Sequence, residues 1–298
     1  MLSKLPKVSI LMPIWRLQTM LFSQCIESVI GQDYPIKLLE ICVCLDGTPS
    51  AEAEIVEVVL KKSGLQYEVT ALQPCRGIAA ARNSCAKSAH GEWFILLDHD
   101  DWLQPDAIRA LVALATPDID IVYSDYQQVD TVGRILFQSH AAPYHRLLNS
   151  KGLSWDGPLL HATFILQAIL IRACTFRAIN GFIESAGLAH EVDFRLRIFD
   201  GQNFAYAGLP LYCYVQRPNS TYYTRYEELV KDTCIIMLEH FRGFCPVAVT
   251  CRRLGKVAPC HVTHYGFYDG RGELLSPEWV DYRLMTLRLP GRLAGQPG

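Results

Sequence analysis

The sequence predicts an α/β fold, a mostly parallel sheet flanked by helices with a small C-terminal extension. Three observations carry that prediction. Short apolar runs alternate with segments of helical period from Val8 to Tyr123. Half of the 298 residues are hydrophobic and 19% are charged, enough to fill one large core. Polar residues gather where the apolar runs end, and open α/β sheets bind ligands beyond the carboxyl ends of their strands.

The elements follow in order. Val8–Met12 is a short buried strand ending at Pro13. Leu21, Cys25, Ile26 and Val29 recur at helical spacing, with Gly31 as a stop. Ile41–Leu45 is a second strand, ending at Asp46-Gly47. A helix over Ala51–Lys62 precedes Gly64. Tyr67–Leu72 alternates as a third strand, and the Ala-rich stretch Ile78–His90 reads as a helix closed by Gly91. Trp93–Leu97 is a fourth buried strand running straight into Asp98. Pro105 marks a helix start, and Ile119–Tyr123 is a fifth strand. Such alternation means a parallel sheet covered on both faces. The second half is less regular: a strand within Ala162–Arg172, helices over Glu191–Phe199 and Thr233–Phe241, strand-like pieces at Pro246–Cys251 and His261–Tyr268, and a fraying tail at Leu289–Gly298.

Bulk properties exclude several classes. The formal net charge is -2, without the basic excess of a nucleic-acid binder. The 11 cysteines include no C-x-x-C pair, which argues against a disulfide framework or a ribbon-type zinc site. Cys42, Cys44 and Cys174 sit in apolar runs and read as small core residues, as expected in a reducing cytoplasm. Met1 to Lys7 lacks a signal-peptide core, and Phe164–Ile171 is too short to span a bilayer. Peripheral membrane contact stays open.

The chemistry centres on Asp98, Asp100 and Asp101, which directly follow a buried strand. Carboxylates this close repel one another unless a cation compensates them. Mg2+ and Mn2+ favour such oxygen ligands and bridge them to phosphates, so the cluster reads as a metal–diphosphate clamp. A solvated acidic turn ahead of the next helix is the plain alternative.

Four segments in order, Val8-Ser9-Ile10-Leu11-Met12-Pro13, Leu45-Asp46-Gly47-Thr48, Ala81-Arg82-Asn83 and Leu97-Asp98-His99-Asp100-Asp101-Trp102, resemble family 2 glycosyltransferases of the GT-A (Rossmann-like) fold. The resemblance covers roughly residues 6 to 225. It implies a catalytic domain over residues 1–240, with a nucleotide-sugar-binding half at 6–125 and an acceptor half at 126–240. Residues 241–298 form an extension of unknown role.

The resemblance also distributes roles. Pro13, Asp46, Gly77, Arg82, Asp98 and Arg217 fall to the donor nucleotide, and Asp98 and Asp100 to a divalent metal, Mn2+ or Mg2+. Asp46 would read the base, although Asp-Gly-Thr-Pro is also good turn chemistry. Arg82 offers a planar fork to phosphate oxygens. Arg217, in the loop Tyr214–Ser220, stands where His is common and would stabilise the leaving diphosphate. The family's base position falls on Glu191, preceded by His190 where an acid is usual, and Asp193 competes with it. His161 reads as a core residue. His261 and His264 suit a metal only on a helix, and their surroundings read as a strand.

The expected function is transfer of a sugar from a UDP-, GDP- or TDP-sugar to a hydroxyl of a glycan, lipid-linked or small-molecule acceptor, with inversion implied by the resemblance. Polysaccharide biosynthesis is the family-level setting. The alternatives are a non-catalytic sugar-nucleotide-binding protein, which the His190-Glu191 replacement keeps open, and a nucleotidyltransferase, which the missing glycine-rich loop after the first strand disfavours.

Overall fold

A computed structural model describes residues 5–141, 167–198 and 202–220, isolated residues between 224 and 236, and strands between Val249 and Met285. Nearly all of the expected helix over Thr233–Phe241, residues 162–166 of the expected strand within Ala162–Arg172, and the tail lie outside the described residues, as does His161.

The central sheet contains β1 (Val8–Ile14), β2 (Leu39–Asp46), β3 (Gln66–Leu72), β4 (Trp93–Leu96), β5 (Trp102–Leu103), β6 (Ile121–Val129), β7 (Ile135–Gln138), β8 (Gln167–Arg172) and β9 (Phe204–Val215). Their order is β3-β2-β1-β4-β8-β6-β9-β5, with β7 paired to β6. β1 pairs in parallel with β2 and β4, and β2 with β3. β8 runs antiparallel between β4 and β6. β6 and β9 are parallel to each other, and β5 closes the edge antiparallel to β9. The sheet is therefore mostly parallel, with β8 inserted between β4 and the fifth predicted strand, which extends to Val129.

β1 and β2 are buried along their whole length, whereas edge strand β3 alternates between exposed and half-buried positions. Both faces are covered. Val8, Ile10, Met12 and Ile14 pack toward α1 (Thr19–Ile30), α2 (Ser50–Ser63) and α4 (Ala107–Ala113). Leu11, Cys42 and Cys44 pack toward α3 (Ile78–Ser88), α5 (Ala173–Ala178) and α6 (His190–Ile198). This period-2 division of each strand between two cores is the physical meaning of the continuous apolar runs.

Three readings are corrected. α3 ends at Ser88, and Gly91 serves packing: a Cβ there would lie 2.5 Å from Ser9 Oγ. α4 begins at Ala107 behind Asp106, two residues past Pro105. Cys174 is exposed, because the inward positions of α5 are Ala173, Thr175 and Phe176. Cys42 and Cys44 are buried and unpaired as thiols.

The position of α6 matters most for the site. Asn180 and Gly181 adopt left-handed conformations with φ of 60° and 59°. Asn83 on α3 pins the turn that follows, accepting from Phe182 N at 2.9 Å and donating to Phe182 O at 2.8 Å. Phe182 stacks on Phe194 of α6 with centroids 4.2 Å apart, and Phe176 meets both rings. Such aromatic pairs contribute about 0.5–1.5 kcal/mol each beyond simple burial. Together they seat α6 against α3.

Beyond the central sheet, β10 (Val249–Arg253), β11 (Lys256–Thr263), β12 (Gly266–Asp269), β13 (Leu274–Leu275) and β14 (Val280–Met285) form a separate antiparallel sheet. His261 lies on β11 opposite Tyr268, as the strand reading expects.

Candidate active site

The loops after β1, β2, β3 and β4 gather at one end of the sheet, and α6 approaches from the side. Arg82, on α3, lies at the centre and is 2% exposed. Its Nη2 donates to Asp98 Oδ1 at 2.8 Å, and its Nη1 donates to Glu191 Oε1 at 2.9 Å. The Phe182 ring lies 5.3 Å from the guanidinium carbon. The carboxylates overcome the burial that opposes its charge and raise its pKa above the ordinary arginine value. A cleft of about 60 Å³ opens here, lined by Arg82, Asp98 and Glu191 beside Arg195, Phe194 and Tyr214.

Glu191 lies on the first turn of α6 and also accepts from Arg195 Nη2 at 2.9 Å. Burial would raise its pKa, but Arg195 and Arg82 outweigh it and hold the carboxyl well below the usual range. His190 Nδ1 lies 3.2 Å from the carbonyl of Gly187, so that nitrogen carries the proton, and Nε2 accepts from Arg82 at 3.2 Å. Burial, then the neighbouring Arg82 charge, lowers the imidazole pKa to about 4.

The acidic cluster divides its labour. Asp98 faces Arg82, and Asp100 pairs with Arg217. Asp101 turns into the core at 2% exposure and accepts from Tyr212 Oη at 2.6 Å and Val215 N at 2.8 Å. Burial, then the Asp98 charge, pushes its pKa well above the carboxylate range. His99 Nε2 lies 3.1 Å from Arg16 O and ties this turn to the loop after β1. Among the described residues no group of three His, Cys, Asp or Glu side chains is arranged to hold a metal by itself.

Asp46, at the end of β2, is 2% exposed. Its Oδ1 accepts from Arg76 N at 2.6 Å and its Oδ2 from Gly77 N at 2.7 Å. Gly47, with φ of 68°, lets Cys75 approach; a Cβ there would lie 2.7 Å from Cys75 Cβ. Asp46 thus builds the loop that enters α3. Gly77, with φ of 92°, forms the start of that helix. Pro13 lies buried in β1 opposite Cys44.

The structure brings Arg82, Asp98, Glu191, Asp100 and Arg217 into one region. Asp193 points elsewhere: it is 4% exposed and pairs with Arg197 at 2.7 Å. Sequence reasoning missed Arg195, Tyr212 and the inward turn of Asp101. The helical spacing of Glu191–Arg195 and Asp193–Arg197 carried the first signal, since residues four apart share a face.

The sequence profile described as glycosyl transferase family 2 matches residues 9–173, more than half of the chain. Chondroitin synthase of Escherichia coli is 26% identical over 205 residues, covering 66% of this chain and 27% of that protein. The chain spans only 20% to 39% of the length of three curated relatives it matches. The crystal structure of S. aureus TarS 1-349 in complex with UDP-GlcNAc superposes with a TM-score of 0.60 at 20% identity, covering 78% of this chain and 66% of that one. The mannosyltransferase PcManGT from Pyrobaculum calidifontis, in complex with GDP-Man and Mn2+, gives 0.56 at 16% identity, covering 80% of this chain and 64% of that one. At these identities the structural likeness speaks for the fold. Among the described residues no helix is long and apolar enough to cross a membrane.

Proposed function

The chain belongs to glycosyl transferase family 2, and from that premise we propose that it moves a sugar from a nucleotide-diphosphate donor to an acceptor hydroxyl in the cleft around Arg82. The observation that carries this reading is the placement of one buried guanidinium between Asp98 on the donor side and Glu191 on α6.

In this reading the loop built on Asp46 receives the nucleotide, and Gly77 admits the backbone to the diphosphate. Arg82 turns part of its fork to the phosphates. Its departure from Glu191 relieves one of the charges that hold that carboxyl low. Glu191 then accepts the proton of the acceptor hydroxyl as that oxygen attacks the anomeric carbon opposite the leaving diphosphate. Displacement from the opposite face gives inversion. Arg217 compensates the charge that develops on the leaving group.

Asp98 and Asp100 are hard oxygen donors on one turn, with side chains 29% and 18% exposed, and Asp100 already holds a cation in the form of Arg217. That donor set fits Mn2+ or Mg2+ shared with a diphosphate. The ion, when bound, supplies charge compensation to the phosphates. UDP- and GDP-sugars are the first donors to test, because the solved structures of similar fold hold UDP-GlcNAc and GDP-Man. A glycan or lipid-linked acceptor and a cytoplasmic setting in polysaccharide assembly complete the proposal.

Calorimetric titration with UDP, GDP and TDP, each with and without Mn2+, tests it. Metal-dependent binding of one nucleotide, abolished by Asp100→Ala, supports the donor site. Absence of binding under every condition overturns it.

A further inference from the structure

Arg195 is 5% exposed yet makes a single hydrogen bond among the described residues, from Nη2 to Glu191 Oε2 at 2.9 Å. A guanidinium carries five N–H donors; unlike Nε of Arg82 and of Arg217, which are enclosed without a partner, the Arg195 nitrogens that Glu191 does not take keep contact with solvent and are available to a ligand. The neighbouring arginine of the same helix is differently placed. Arg197 spends its donors on Asp193, Ile179 O and Gly181 O. Arg195 instead lines the cleft beside Arg82 and Glu191, one helical turn after Glu191 on the same face of α6. Phe194, Phe182 and Ile169 form the apolar part of that wall. A charged fork in a wall of this kind recognises a planar anion more strongly than it would in open water.

We propose that Arg195 is a specificity-determining residue that receives a carboxylate carried by a sugar ring, so that the cleft favours a uronic acid over its neutral counterpart. This rests on the glycosyl-transfer reading for its setting. Arg82 does not fill the same role, since in the proposed reaction its fork serves Asp98 and the donor phosphates. The carboxylate can belong to the sugar of the donor or to the ring of the acceptor that offers the hydroxyl. The chemistry is shared, and Glu191 lies within reach of either because it bonds Arg195 directly.

The test compares matched pairs. The donor arm uses UDP-glucuronic acid against UDP-glucose and GDP-mannuronic acid against GDP-mannose. The acceptor arm uses phenyl glucuronide against phenyl glucoside. Each pair is measured with the wild-type chain, Arg195→Gln and Arg195→Lys, by transfer and by calorimetric affinity. The expected wild-type preference for the carboxylated partner in one arm is about 10- to 100-fold, the value of one charged hydrogen-bonded contact. Arg195→Gln collapses that ratio, and Arg195→Lys keeps part of it by charge without the fork. The responding arm identifies the source of the carboxylate. A wild-type chain that favours the neutral sugar in both arms, or a ratio that Arg195→Gln leaves unchanged, overturns the proposal. Loss of transfer in every arm counts against the glycosyl-transfer reading, while the affinity ratio still decides the role of Arg195. Circular dichroism of both variants separates a lost preference from a lost fold.

Discussion

Arg82 and Glu191 are 109 residues apart in sequence, and their side chains meet at 2.9 Å. That bond joins α3, which follows the loop built on Asp46, to α6, which carries the candidate base. Removing the guanidinium leaves Asp98 and Glu191 facing each other without their shared cation. A fully buried pair loses about 3–5 kcal/mol when one member is removed. Here Asp98 and Glu191 keep 29% and 35% of their side-chain surface, so solvent moderates the loss. Arg82→Met is expected to lower stability by about 2 kcal/mol, or about 3 °C in Tm for a chain of this size. Adding Glu191→Gln should return part of it. Thermal melts of the two variants check this, and equal Tm losses in the single and double variants would contradict it.

Asp46 supports its loop through both carboxylate oxygens, one to Arg76 N and one to Gly77 N. An asparagine keeps one acceptor and turns the other position into a donor aimed at an N–H. Asp46→Asn is expected to weaken nucleotide binding about tenfold, from the roughly 1–3 kcal/mol attached to an unmet buried polar group. Faster hydrogen exchange at Arg76 and Gly77 should accompany it. Weakened nucleotide binding with unchanged exchange at those amides would give Asp46 a purely base-reading role.

Much of this was legible in the chain, for physical reasons. Val8–Ile14 and Leu39–Asp46 are buried on both faces, so their apolar runs were unmistakable. Asp46 and Asp98 were visible because each ends such a run. What stayed hidden is non-local. Nothing near Asp101 signals that it turns inward to Tyr212, a residue 111 positions away. The insertion of β8 between β4 and β6 is likewise a matter of long-range pairing. Cys174 misled because an apolar neighbourhood does not say which side of a helix faces out.

His190 gives the fold a pH dependence with a defined sign. Its folded pKa, about 4, lies below the ordinary imidazole value of 6.5 because burial and Arg82 oppose a second positive charge. The unfolded chain therefore binds the proton first. Stability is full above the ordinary value and is lost as pH falls from 6.5 toward 4, by at most about 3 kcal/mol. Glu191, held low, continues the loss below its ordinary value of 4.5. His190→Gln removes the first part of this slope and leaves the second. Urea unfolding at steps between pH 7 and pH 4.5 checks it, and an unaltered slope in the variant would show that His190 does not contribute.

Glu191 and Asp193 stand two residues apart on α6 and answer differently to the loss of a charge. Asp193 holds Arg197, which donates to the carbonyls of Ile179 and Gly181 at 2.7 Å and so fastens α6 to the turn after α5. Asp193→Asn weakens that fastening and is expected to cost about 1–3 kcal/mol of stability, as for a buried charged hydrogen bond. Its remaining folded protein should keep turning over. Glu191 lines the cleft and reaches Arg82 and Arg195. Glu191→Gln preserves its shape but cannot accept the acceptor's proton, so transfer should fall by about 10²–10⁴ while nucleotide affinity holds within a few fold. Steady-state transfer assays beside thermal melts distinguish the two. If Asp193→Asn abolishes transfer without unfolding and Glu191→Gln leaves it intact, the base is Asp193, and α6 must rotate by nearly half a turn to present it.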